Sequence, residues 1–259
     1  PGKTARATLS LEPDGRPGGL PLPAAATLEA TVQAASDGTV RSVDLRVSAD
    51  GFPEPMAGRL AIEARIRRGE TGNETAALSL EGPHGVSATL DADYPGPGGN
   101  LQFSGKANLP DADPFLRDLA PEITDGSLEL SLGGAVSPTG TRLETDLTAL
   151  ATVPGDVFDV ERKARLELAF AGSTTDSAET TKIGVEALDL SIALGDDPPL
   201  ARAELLRPFT WDPANPAALP GGELARIQLD LTGGFLRTVA GDEVPVRNIR
   251  GAWSLARRD

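Results

Sequence analysis

The feature that most constrains this chain is an apolar period of two that recurs from end to end. Ala5-Ala7-Leu9-Leu11 is followed by Leu28-Ala30-Val32-Ala34, Val43-Leu45-Val47-Ala49 and Leu60-Ile62-Ala64-Ile66. Then come Ala76-Leu78-Leu80, Val86-Ala88-Leu90-Ala92, Leu101-Phe103-Gly105-Ala107-Leu109 and Leu128-Leu130-Leu132. Leu143-Thr145-Leu147-Ala149, Ala164-Leu166-Leu168-Phe170 and Ala225-Ile227-Leu229-Leu231 complete the series. Thr, Ser, Arg, Glu and Asp stand between the apolar positions. Side chains alternate across a strand, so each run has one apolar and one wet face. The expected fold class is all-β.

Turn chemistry separates the runs. Ser36-Asp37-Gly38, Glu81-Gly82-Pro83-His84-Gly85, Tyr94-Pro95-Gly96-Pro97-Gly98-Gly99 and Ser137-Pro138-Thr139-Gly140 each join two alternating segments. Short connections of this kind favour antiparallel meandering over parallel crossovers. Two stretches break the rhythm. Pro110 to Pro121 reads as one or two helical turns, with Asp113 as cap, Pro114 in the first position and Pro121 as stop. The proline-dense stretch from Leu206 to Gly222 reads as a lid, linker or lateral loop without regular pairing. Residues 14–23 and 173–180 read as further loops, the latter an exposed hairpin tip. The same grammar runs on both sides of 110–126, so residues 1–259 are expected to form a single extended β unit, with 110–126 as the place for any subdivision.

Composition removes several function classes. With 38 acidic and 24 basic residues the formal charge is -14, which disfavours nucleic acid and anionic membrane surfaces as partners. The absence of Cys excludes disulfides, thiolate catalysis and Cys-bound zinc. No run approaches the ~20 apolar residues of a spanning helix, so this stretch is not expected to span a membrane itself. The chain begins at Pro1 with no signal-like segment and is read as a fragment of a longer chain, with any anchor outside it.

The search for catalytic chemistry returns little. The single histidine, His84, sits in a Pro-His-Gly turn, where exposed filler outweighs a general base. There is no nucleophile elbow, phosphate loop or dinucleotide fingerprint. Asp91/Asp93, Asp111/Asp113 and Asp196/Asp197 fall short of a calcium loop, so no metal or cofactor is expected. Dispersed carboxylates for glycoside hydrolysis stay open only in principle, since two Trp and one Tyr supply few sugar platforms. Trp211 and Trp253 read as local packing, with Trp211 in a ligand-facing flap as the sharper version. The expectation is a non-enzyme.

Three phrases carry a family resemblance: Gly126-Ser-Leu-Glu-Leu-Ser-Leu-Gly-Gly134, Asn100-Leu-Gln-Phe-Ser-Gly-Lys-Ala-Asn-Leu109 and Leu224-Ala-Arg-Ile-Gln-Leu-Asp-Leu-Thr-Gly233. With the Asp113–Pro121 helix leading into a strand, the chain resembles the AsmA-like superfamily, which includes TamB-type proteins of the bacterial envelope. That resemblance implies an elongated, curved antiparallel sheet with an apolar inner groove. It also implies a periplasmic place, an anchor elsewhere, and a part in phospholipid transport or outer-membrane assembly, with envelope proteins as further partners.

An uncovered apolar face is a binding surface in water, and acyl chains fill one without directional contacts. The expected groove-lining residues are Leu60, Ile62, Ile66, Leu78, Leu80, Leu90, Leu101, Phe103, Leu128, Leu130, Leu132, Leu166, Leu168, Phe170, Leu190, Ile192, Ile227, Leu229 and Leu231. The alternative is that they form the closed core of a β-sandwich. In that case the chain is an extracellular or surface β-sandwich or β-solenoid binding module, an adhesin or scaffold.

Overall fold

The computed structural model describes residues 2–11, 23–53, 57–116, 122–154, 161–176, 180–196, 198–215, 220–230, 236–237, 245–246 and 250–257. The molecule is 72% strand and 3% helix, the all-β class that the alternation predicts. It divides into two compact units, Pro1–Pro114 and Phe115–Asp259.

The N-terminal unit is one antiparallel sheet of β1 (Lys3–Leu11), β2 (Ala25–Ala34), β3 (Val40–Asp50), β4 (Arg59–Arg68), β5 (Glu74–Glu81), β6 (Ser87–Tyr94) and β7 (Leu101–Leu109). Each strand pairs with the one before it. The turns form where their residues predict. Between β2 and β3, Gly38 takes φ 88° and Asp37 Oδ1 accepts the Thr39 N–H at 2.9 Å. Between β5 and β6, a 3₁₀ turn (Pro83–Gly85) holds His84 at φ 56°.

The short helix α1 (Asp113–Leu116) has one turn in the described residues, and Arg117 to Pro121 lie outside them. Asp113 opens this helix rather than preceding it, and its N–H donates to Asp111 Oδ1 at 3.3 Å. The boundary between the units falls within α1.

The C-terminal unit contains longer strands: β8 (Thr124–Ser137), β9 (Gly140–Val153), β10 (Arg162–Asp176) and β11 (Thr181–Leu194). β12 (Ala201–Leu205), β14 (Gly222–Asp230) and β17 (Arg250–Arg257) continue the same sheet. A two-stranded pair, β15 (Leu236–Arg237) with β16 (Pro245–Val246), stands apart.

Two loop expectations are corrected. Ser173–Asp176 belong to β10 and not to a loop, because Thr and Ser pair as readily in strands as in turns. The proline-dense stretch also contains a strand, β13 (Phe209–Trp211), which pairs with β11 through Val185↔Phe209 and Ile183↔Trp211. Pro208 and Pro213 lie on either side of it and leave its three amides free to pair.

Each unit is a single layer. Apart from the 3₁₀ turn, which also touches β7, the main contacts between elements join hydrogen-bonded neighbours, and among the described residues in neither unit do the outermost strands pair with each other. The closed β-sandwich is therefore not what either unit builds. Among the described residues the buried apolar side chains are Ala49, Ala112, Leu194, Leu200 and Leu224. Leu224, at 1% exposure, is the extra residue of a bulge in the β14–β17 pairing. No described helix is long and apolar enough to cross a membrane.

Candidate functional site

Register converts the alternation into continuous apolar rows, because directly opposed residues share a face. In the N-terminal unit one row reads Leu9–Leu28–Val47–Ile62–Leu80–Ala88–Ala107. The next reads Ala7–Ala30–Leu45–Ala64–Leu78–Leu90–Gly105, and the third Ala5–Val32–Val43–Ile66–Ala76–Ala92–Phe103. Leu60 opposes Ala49 at one end, and Leu101 lies two residues before Phe103 on the same face. Leu9, Leu28, Leu45, Ile66, Leu78 and Leu90 are all exposed.

The C-terminal unit repeats the plan. Leu128–Ala149–Leu166–Ile192–Ala201–Leu229–Gly251 forms one row, and Leu130–Leu147–Leu168–Leu190–Ala203–Ile227–Trp253 another. A third begins Leu132–Thr145–Phe170–Leu188. Its one hydroxyl is satisfied locally, since Thr145 Oγ1 donates to the Ser131 carbonyl at 2.9 Å. Ile227, Trp253 and Leu255 are 50%, 57% and 55% exposed. The expected groove residues thus fall on one face in each unit, except Leu231, which lies outside the described residues.

The expected set omits several members of these rows: Leu9, Leu28, Val43, Leu45, Val47, Leu147, Leu188 and Trp253. The period-two phrase Gly251-x-Trp253-x-Leu255 was the available signal for Trp253. Trp211 lies in β13 and not in a flap. Aromatic rings lie over glycines at both large-residue positions: an added Cβ would meet the Phe170 ring at Gly172 and the Trp253 ring at Gly251.

The opposite faces carry charge. Arg46 Nε donates to Glu63 Oε1 at 2.8 Å, and Arg65 Nε to Asp44 Oδ1 at 3.1 Å. Arg67 donates to both Asp44 oxygens, at 2.9 and 3.1 Å. The Arg67 hydrogen bonds hold the Asp44 carboxyl below the usual carboxylate range against desolvation, the next-largest effect, with a smaller contribution from Arg65. In the C-terminal unit Arg226 pairs with Glu223 at 3.1 Å, which keeps its guanidinium protonated to still higher pH.

Concavities occur on these charged faces too. One of about 300 Å³ is walled by Glu29, Asp44, Arg46, Glu63, Arg65 and Asp91, and one of about 440 Å³ by Asp146, Glu167, Asp189 and Arg202. Among the described residues no three His, Cys, Asp or Glu side chains converge to hold a metal ion. His84 Nδ1, in the turn between β5 and β6, lies 3.6 Å from Asp111 Oδ2, just before α1.

No family model, curated protein or solved structure matches this chain. The functional argument therefore stands on the two-faced sheets themselves.

Proposed function

We propose that the chain is a non-enzymatic lipid-binding or lipid-conducting segment of a bacterial cell envelope, with acyl chains lying on the apolar sheet faces. One observation carries this reading: in each unit, apolar rows cross successive strands and leave many of their large side chains exposed. A seven-strand row is ~29 Å wide at ~4.8 Å per strand. An acyl chain spans half of a ~30 Å bilayer core, so it fits along a row. Each buried methylene contributes ~0.8 kcal/mol, so ten contribute ~8 kcal/mol before the entropy of association is subtracted. The resemblance to AsmA-like proteins adds the periplasmic setting and the link to phospholipid transport or outer-membrane assembly. Such a function needs no catalytic group.

The test is native mass spectrometry of the purified chain with organic extraction of what accompanies it, on the wild type and on Leu130→Asp. Leu130 sits in a row beside Leu147, away from any turn. Phospholipid or fatty acid on the wild type, lost in a folded Leu130→Asp, is the expected result. A wild type that carries no lipid and takes up none from vesicles contradicts the proposal. So does a Leu130→Asp variant that unfolds by circular dichroism, because that face would then be a closed core.

A further inference from the structure

The apolar face of the C-terminal unit changes character along its strands. At one end its rows are wholly aliphatic: Ala151–Ala164–Leu194, then Leu128–Ala149–Leu166–Ile192. Leu194 is buried there at 3% exposure. Arg162, beyond Ala164 on the same face, has a partner of its own. Toward the other end hydroxyls and rings enter. Thr145 and Phe170 share a row. The next row is Gly134–Leu143–Gly172–Val185–Phe209, and the last is Val136–Thr141–Thr174–Ile183–Trp211.

A bulge builds this end. Glu186 is the extra residue of β11 between the pairs Ala171↔Ala187 and Gly172↔Val185. One extra residue reverses the alternation, so Val185 and Ile183 turn onto the apolar face, and β13 adds Phe209 and Trp211 beside them. The Phe170 ring lies over Gly172. Past that ring stand uncharged donors. Thr174 Oγ1 accepts the Thr141 N–H at 3.1 Å, so its own proton is left to donate. Trp211, 36% exposed, carries an indole N–H. Rings with an apolar body and a polar tip suit a boundary between apolar and wet surroundings.

We propose that the ester and phosphate region of a bound phospholipid sits at this end, on Thr141, Thr174 and Trp211, with the acyl chains running back along the strands over the aliphatic rows. The inference rests on the reading of this face as a lipid surface and adds the lipid's direction on it. From Val136 back to Leu128, β8 rises ~27 Å at ~3.4 Å per residue. An acyl chain needs half of a ~30 Å bilayer core, so it ends on aliphatic side chains. In the reverse direction the esters and phosphate would face Ala151, Ala164 and Leu194, whose side chains offer no donor. Hydroxyls and an indole N–H carry no charge, so the site reads what phospholipids share and not a particular head group.

The two tryptophans supply the test. Trp211 lies in the last row and Trp253 in the row of Leu130, ~20 Å away along the strands. Trp253→Phe leaves Trp211 as the single reporter. The whole chain is loaded from vesicles of phosphatidylcholine carrying a nitroxide on the head group, near the esters or at the chain end. It is then freed of vesicles and checked for retained lipid by mass spectrometry. Trp211 emission is expected to be quenched most by the head-group label and least by the chain-end label. Thr141→Val combined with Thr174→Val, which removes the hydroxyls and keeps the side-chain shape, is expected to weaken retention about fivefold and to flatten that order. Retained lipid with the reverse order, or with equal quenching by every label, overturns the head placement and leaves the lipid surface standing. Unchanged retention and order in the threonine variant does the same. Should that variant fail to fold, the label series in the threonine-intact protein decides. A chain that retains no lipid overturns the lipid surface and this inference with it.

Discussion

Asp44 shows how a single residue ties the charged face together. Its carboxylate accepts from arginines two positions apart on the next strand, one directly opposite and one diagonal, which is how cross-strand pairs stabilise a sheet. A carboxyl whose folded pKa is depressed contributes stability that is fully present above its unfolded value, ~3.9, and is lost as the pH falls through the lower folded value. Arg67→Gln removes the largest cause of the depression. The Asp44 carboxyl should then titrate closer to its ordinary value by NMR, and the variant should lose less stability than the wild type on acidification below pH ~4. Identical Asp44 titration in the two proteins would show that Arg67 does not bind it in solution. Nothing in the sequence points to Arg67 as the stronger partner, since Arg65 is the one that register places opposite.

Hairpins are the next scale, and their glycines are not equivalent. Gly38 has positive φ with open space around its missing Cβ, whereas a Cβ on Gly140 would run into the Thr174 carbonyl oxygen on β10. Gly38→Ala is therefore expected to cost only backbone strain, ~1 kcal/mol. Gly140→Ala should cost more, ~1–3 kcal/mol, because a backbone oxygen in the ladder must move. Thermal melts of the two variants check the order, and a smaller Tm drop for Gly140→Ala would show that β9 and β10 separate there without penalty.

This is also the scale at which reading the sequence worked best. Period-two runs and Gly/Pro turns locate most strands, because both signals are local. The misses have physical causes. Leu190 and Ile192 are legible as groove residues, but Leu188 is not, because Gly184 and the extra residue Glu186 break the alternation just before it. β13 is only three residues long between prolines. Which apolar residues share a row depends on register, which pattern alone does not carry. That is why Leu60 and Ile62 were legible as members of the site while Val47, opposite Ile62, was not.

For the molecule as a whole, one-layer construction shows in the surface it leaves. The chain exposes 16553 Å², against roughly 10,700 Å² for a compact protein of its mass. With an unfolded surface of roughly 38,700 Å², folding buries about a fifth less area than in a compact protein of the same mass. The urea m-value scales with that area and should be about a fifth smaller than the compact-protein value for this length. An m-value at the compact level would mean that the apolar faces are covered in solution without added lipid. The open faces were legible as an apolar surface. That no second layer covers them within a unit was not, because a sandwich and a bare sheet share one alternation.

Sequential pairing has a further consequence, for the order in which the molecule is made. From β2 to β7 every strand finds its partner in the strand just synthesised, across a connection of at most 13 residues. Loop closure is cheap at such separations, and contacts this local favour rapid formation. A chain emerging N-terminus first, from a ribosome or through a translocation pore, adds each strand to a finished edge without waiting for distant sequence. Growth of this kind tolerates insertion or loss of a hairpin, since two added strands widen the sheet by ~10 Å and leave every existing neighbour in place.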